Sequence, residues 1–255
     1  MQFAQADTSL TRRRDFVDPR LGIAVSPLSN HWLRAAWRKD TDLSNGYTLA
    51  PITTVGLVPN QLPLSLGARK ETLALRWDGE WHERFFTSVE YQRQKADRFN
   101  VGIAETLDSF DYRDGTVNYV AASANLWLTP GIGLTATGGI AEAKARNTAG
   151  ARVDLPFVPQ RFARGAMTFV HPSRIKLILA GNWFDERYDV DGKKLDAVFT
   201  ADAGVTYETW DRRFEFGAAL LNVFDKRYEI AGPRTGVEAV QGRGRTLAGS
   251  VKVRF

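Results

Sequence analysis

The side chains that could do chemistry are few. The chain has three histidines, His31, His82 and His171. Imidazole is the usual general base near neutral pH and a common metal ligand. Either role needs partners gathered at a shared site. Each histidine instead falls at or beside a short turn, with no partner set nearby in sequence. We therefore expect no catalytic residue, no metal-ligating set and no cofactor. There is no cysteine, which excludes disulfides, thiolate metal sites and cysteine nucleophiles. Gly242-Arg243-Gly244 and Gly249 superficially suggest a phosphate-cradling loop, but that loop needs a strand running into a helix. Here the chain runs into a strand and stops. Asn45-Gly46 and Asp191-Gly192 read as turn residues.

What remains is recognition. Arg234, Arg243 and Arg245 lie on or near the last loop and could meet an anionic ligand through charge-assisted hydrogen bonds. Tyr47, Thr53, Thr54 and Asn60 are contact candidates in the longest loop. For all of them the plain alternative is an ordinary surface loop. The net charge is +5, from 34 basic and 29 acidic residues. The basic residues are spread thinly apart from Arg12-Arg13-Arg14, which reads as a solvated loop, so no nucleic-acid partner is expected.

The elements that would position these residues are strands. In Arg245–Phe255, Leu247, Gly249, Val251, Val253 and Phe255 fall on one face, and Thr246, Ala248, Ser250, Lys252 and Arg254 on the other, because strand side chains alternate. The same two-faced pattern recurs along the chain, for example Leu195 to Glu208, where Leu195, Ala197, Phe199, Ala201, Ala203, Val205 and Tyr207 oppose Asp196, Thr200, Asp202, Thr206 and Glu208. About eleven such strands are readable, and no helical period persists over a dozen residues. No apolar run approaches the roughly 18 residues of a membrane helix, yet a barrel strand needs only about 9–11 alternating residues. Met1 to Asp7 has neither the basic start nor the apolar core of a leader.

Short turns near Ser29, Gly79, Pro130, Pro172 and Asp211 alternate with longer segments at Asp40–Lys70, Ala96–Gly115, Lys144–Pro159, Glu186–Lys194 and Ile230–Gly244. In an up-and-down antiparallel sheet this sorting puts all short turns at one end. Aromatics near strand ends (Trp37, Trp77, Tyr91, Trp183, Tyr207) suit interfacial girdles. A soluble sandwich does not sort its connections in this way. The opposite face carries charges of both signs: Arg34, Arg76, Glu90, Arg164, Lys176, Asp202, Glu208, Lys252 and Arg254. The expected fold is all-β, an antiparallel up-and-down transmembrane β-barrel of about 11–12 strands, part of a larger barrel. An odd strand count leaves an open edge in lipid unless Met1 to Asp7 begins another strand.

Leu221-Asn222-Val223-Phe224-Asp225-Lys226-Arg227-Tyr228 resembles the signature on the penultimate strand of TonB-dependent outer-membrane receptors, with Asn222, Phe224, Asp225 and Tyr228 in the motif positions and Val223 in place of the usual Leu. Gly244-Arg245-Thr246 through Val253-Arg254-Phe255 is similar to that family's last strand, and Asp18-Pro19-Arg20-Leu21-Gly22 to the start of a mid-barrel strand. The resemblance is specific over roughly Leu195 to Phe255. It implies a barrel of about 22 strands holding an N-terminal plug, in the outer membrane of a Gram-negative bacterium, taking up a ferric chelate or another nutrient with energy from TonB. It also implies contact with outer-membrane lipid and recognition of Phe255 by the barrel-assembly machinery. This chain looks like the C-terminal part of such a barrel. It shows no plug, so contact with TonB would run only through a missing N-terminal plug, and alone it should transport nothing. The uncharged, Pro- and Leu-rich segment Tyr47 to Leu66 keeps one alternative open, the C-terminal barrel of an export pore or porin-like protein with periplasmic tetratricopeptide repeats.

Overall fold

A computed structural model describes residues 2–6, 14–41, 55, 68–100, 111–189, 192–231 and 239–254. In chain order the strands are β1 (Gln2–Ala6), β2 (Arg14–Asp18), β3 (Arg20–Leu28), β4 (His31–Thr41), β5 (Arg69–His82), β6 (Phe85–Asn100), β7 (Asp111–Thr129), β8 (Ile132–Asn147) and β9 (Arg152–Asp154). They continue with β10 (Arg161–Val170), β11 (Ile175–Phe184), β12 (Arg187–Tyr188), β13 (Lys194–Leu195), β14 (Val198–Glu208), β15 (Phe214–Leu221), β16 (Glu229–Ala231), β17 (Ala239–Gln241) and β18 (Thr246–Val253).

Twelve strands form one sheet in the order β18-β15-β14-β11-β10-β8-β7-β6-β5-β4-β3, with β9 added to β8. Every pairing within it is antiparallel. The expected all-β, up-and-down sheet is therefore present, and among the described residues it is not closed, since β3 and β18 end it without pairing. Gln2–Ala6 does form a strand, but it pairs with Arg14–Asp18 in a separate two-stranded sheet and adds no strand to the main one, whose edge stays open among the described residues. Asp18 ties that extension to the sheet by accepting from the Thr41 backbone N–H at 3.0 Å and the Thr41 hydroxyl at 2.9 Å.

The registers place the two predicted faces as the alternation requires. Leu21, Ile23, Leu33, Leu75, Leu179, Val205, Leu247 and Val251 all lie on one face and are exposed. Aromatics mark its two ends. Toward the short turns lie Trp77, Trp81, Phe169, Tyr207 and Phe214; toward the long connections lie Trp37, Trp183 and Phe199. On β14 the two rows, Phe199 and Tyr207, are eight residues apart. That is about 26 Å along a strand, or about 19–21 Å of height at a tilt of about 35–45°, most of a lipid-facing apolar band of about 25 Å.

The other face is polar and internally paired. Arg76 lies 2.8 Å from Asp78 and 3.3 Å from Glu90, Arg34 lies 3.3 Å from Asp78, and Arg20 and Arg38 meet Asp40 at 3.1 and 2.7 Å. Gln92 and Gln94 on the same face are each 1% exposed. Val55, from the connection between β4 and β5, packs there on Ala36 and Ala74. A second small core, Ala96, Tyr112, Ala143, Ala145 and Leu155, lies where the chain after β9 crosses the same face.

The structure corrects two readings. Asp78-Gly79 does not begin the turn. β5 runs on to His82 and turns at Glu83-Arg84, with Gly79 paired to His31 on one side and Thr87 on the other. The His31 ring stacks on Trp77 with centroids 5.7 Å apart, and a Cβ at Gly79 would sit 2.9 Å from the Trp77 ring. The glycine therefore serves a close aromatic approach. Second, Ala96–Gly115 is not simply a loop. β6 and β7 stay paired up to Asn100 and Asp111, and β8 runs to Asn147. Beyond the apolar belt one face is polar and the other packs mainly on alanines, so backbone pairing continues with no strong alternation to advertise it.

Candidate ligand site at the long-connection end

The family-like motif builds a corner. At the end of β15 the chain turns sharply with Asn222 at φ 49° and Asp225 at φ 53°, a region that Asn and Asp tolerate better than other side chains. Asn222 is 4% exposed and fully used. Its Oδ1 accepts from the Lys226 N–H at 2.9 Å, and its Nδ2 donates to the carbonyls of Lys226 and Arg243, both at 2.9 Å. Its own N–H donates to Asp202 at 2.8 Å. Asp225 then accepts from the Arg245 N–H at 2.8 Å. The corner thus clamps the end of β15 to the start of β18. Phe224 is 65% exposed and sits 6.1 Å from Phe199 on the apolar face. Gly242 lies so close to Tyr228 that a Cβ would fall 2.3 Å from the ring.

Beside this corner the small β12–β13 hairpin and the start of β14 enclose a cavity of about 530 Å³. Its lining includes Arg187, Lys193, Lys194, Lys226, Arg227 and Tyr228, against the acids Asp196 and Glu229. Lys194 pairs with Glu186 at 2.8 Å, and Lys193 approaches Glu229 at 3.5 Å. The Lys194 ammonium is held above its ordinary range by the Glu186 hydrogen bond and charge. Arg187 is 7% exposed. Its Nη2 donates to the Glu229 backbone carbonyl, while its Nη1 is buried without a hydrogen-bond partner among the described residues. Burial lowers the Arg187 pKa, opposed by the charges of Glu229 and Tyr228. A second cavity of about 260 Å³ adjoins the first through Arg187, Val198 and Tyr228, and is lined further by Phe157, Phe184 and Ile230.

The predicted site residues are only partly brought here. Arg243 and Arg245 are exposed, and their defined contacts are backbone contacts within the corner. Neither lines these two cavities. Of the motif, Tyr228 lines both, whereas Asn222, Phe224 and Asp225 shape the corner. Tyr47, Thr53, Thr54, Asn60, Arg234 and Phe255 lie outside the described residues. Arg187, Phe157 and Phe184 were not singled out from the sequence. Asp185-Glu186-Arg187-Tyr188 reads as an ordinary charged loop, and no spacing distinguishes an arginine that will be buried. The histidines stay at the short-turn end, where His171 Nδ1 bonds Ser173 Oγ at 2.6 Å within its own turn. Among the described residues no cluster of three or more His, Asp or Glu could hold a metal.

No family model matches the sequence, and no curated protein matches it either. Solved structures do match in shape. The ferric yersiniabactin uptake receptor FyuA of Yersinia pestis aligns with a TM-score of 0.70 at 18% identity, over 96% of this chain and 38% of that one. The copper transporter OprC gives 0.71 at 15% identity, over 96% of this chain and 40% of that one. The ferric-catecholate import receptor Fiu of E. coli K12 gives 0.67 at 13% identity, over 96% and 36%. The fold is that of a TonB-dependent receptor barrel. The chain spans about two-fifths of the length of these receptors. In such a barrel the apolar face of the sheet is turned outward and the polar face lines the lumen. Phe184, Val198 and Thr200 share the register of the lumenal residues Asn182 and Asp202, so the smaller cavity opens on the lumenal face.

Proposed function

We propose that this chain is part of an outer-membrane receptor of the TonB-dependent type, in a Gram-negative bacterium, that takes up a nutrient ligand such as a ferric or other metal chelate. One observation carries the reading. An antiparallel sheet with an aromatic-edged apolar face and a charged, internally paired opposite face matches receptor and transporter barrels over 96% of its length. The short turns then face the periplasm and the long connections face outward. Energy would come from TonB through a plug domain carried elsewhere in the complete protein. The barrel-assembly machinery would read the terminal Phe255, and outer-membrane lipid would cover the apolar face. The segment that favoured an export pore, 47–66, lies outside the described residues except for Val55, which packs on the polar face.

The test is accumulation of labelled ferric and cupric chelates by cells expressing the complete gene, with and without a functional TonB. Accumulation that depends on both the gene and TonB is the expected result. Accumulation indifferent to TonB would replace the receptor with a passive pore.

A further inference from the structure

An arginine buried without an anion is costly, because its guanidinium loses hydration that nothing replaces. Arg187 is close to that position: the Glu229 carboxylate acts on it only through space and is itself engaged by Lys193. Its one defined partner is the neutral Glu229 carbonyl, its Nη1 has none, and it forms no ion pair among the described residues. Two further cations on the same cavity, Lys226 and Arg227, also form no ion pair among the described residues. Lys193 and Lys194 already face Glu229 and Glu186. Three cations are thus left against the single unpaired acid Asp196. An anion would satisfy this arrangement, and guanidinium matches carboxylate or phosphate in a two-point fork. The adjoining cavity sets the rest of the ligand. Phe157, Phe184, Val198 and Ile230 give it an apolar wall, and Tyr228 closes the boundary. An apolar cavity of about 150 Å³ takes a benzene ring; this one, at about 260 Å³, has room for a larger flat group.

We propose that this chain binds, at Arg187, an aromatic anion whose carboxylate or phosphate meets the Arg187 fork while its ring lies against Phe157 and Phe184. The inference deepens the receptor reading and rests on it for the route by which such a ligand arrives. Lys226 and Arg227, at the edge of the larger cavity, draw the anion in, so the affinity falls as salt rises.

The experiment uses the complete protein refolded in detergent micelles, with naphthalene-2-carboxylate as probe and titration calorimetry as readout, micelle-only heats subtracted. Naphthalene-2-carboxylate is expected to bind at least tenfold more tightly than either naphthalene-2-methanol, which lacks the charge, or acetate, which lacks the ring. Arg187→Gln should weaken it at least tenfold, and Arg187→Lys should recover part of the loss. The neutral alcohol binding as tightly as the anion would overturn the proposal, as would an Arg187→Gln protein binding like the wild type. Should Arg187→Gln not fold, the exposed pair Lys226→Gln with Arg227→Gln decides: lower affinity with a flatter salt dependence supports the site, and no change in either overturns it. The site and the receptor fail separately. Arg187-dependent binding without TonB-dependent uptake refutes only the receptor. TonB-dependent uptake together with an Arg187→Gln protein that binds the probe like the wild type refutes only the site.

Discussion

Asn222 shows how one side chain can set a chain's route. Three hydrogen bonds and a left-handed backbone meet in it. Asn222→Ala removes all three bonds and leaves a strained Ala. At about 1 kcal/mol per bond and 1–2 for the backbone, a loss of about 4 kcal/mol is expected in urea unfolding of the protein in lipid vesicles. Asn222→Gly loses the bonds but relaxes the backbone, so it should fall short of that by about 1 kcal/mol; equal losses would show that the backbone carries no strain. The motif was legible as a family signature, but its role as a clamp was not, because the partners Arg243 and Asp202 are some twenty residues away. A smaller effect sits at the opposite end of the sheet. Asp211 accepts from the Thr209 hydroxyl and from the Arg213 N–H at 3.2 Å, which together hold its carboxyl below the usual range. A depressed carboxyl contributes stability above its unfolded pKa and loses it as pH falls through the folded value. Thr209→Val should therefore move the Asp211 titration, followed by carbon NMR, toward the ordinary carboxylate range.

Strands were legible wherever one face meets an apolar medium and the other does not. Phe199 to Glu208 could be assigned residue by residue, since β14 alternates there, whereas Leu195 and Ala197, read as the start of the same apolar face, fall in β13 and the link after it, with Leu195 buried. Asp97 to Asn100 and Asp111 to Asp114 could not, because backbone pairing continues there without an apolar medium on one face to impose alternation. Neighbouring positions on β11 test the assignment directly. Leu179 lies on the apolar face and is 50% exposed, while Ala180 faces Asp202 in the sheet register on the polar side. Leu179→Arg should cost on the order of 2–4 kcal/mol in vesicle folding equilibria, and Ala180→Arg distinctly less. Similar losses would mean that the apolar face does not meet lipid. The cavity at Arg187 stayed hidden for a related reason: the elements that enclose it, β12 and β13, are two residues long each and carry no period at all.

Across the whole molecule, the proposed receptor would carry the short turns on one side of the membrane and the long connections on the other. The chain has no cysteine, so single introduced thiols report on each end. On intact cells carrying the complete protein, a membrane-impermeant maleimide should label Arg146→Cys, at the exposed end of β8, but should label Pro172→Cys only after permeabilisation. The reverse pattern would invert the orientation and move the Arg187 cavity to the periplasmic side. The strand lengths add something further. β10 meets β8 no higher than Ile140, yet β8 continues seven residues to Asn147, with β6, β7 and β9 beside it. At about 3.3 Å per residue and a tilt near 45°, that is a step of about 16 Å. Among the described residues the paired strands at this end are therefore stepped, with β6, β7, β8 and β9 standing above the end of β10. If the long connections face the medium as proposed, an arriving ligand would meet this tall group of strands before the cavity at Arg187.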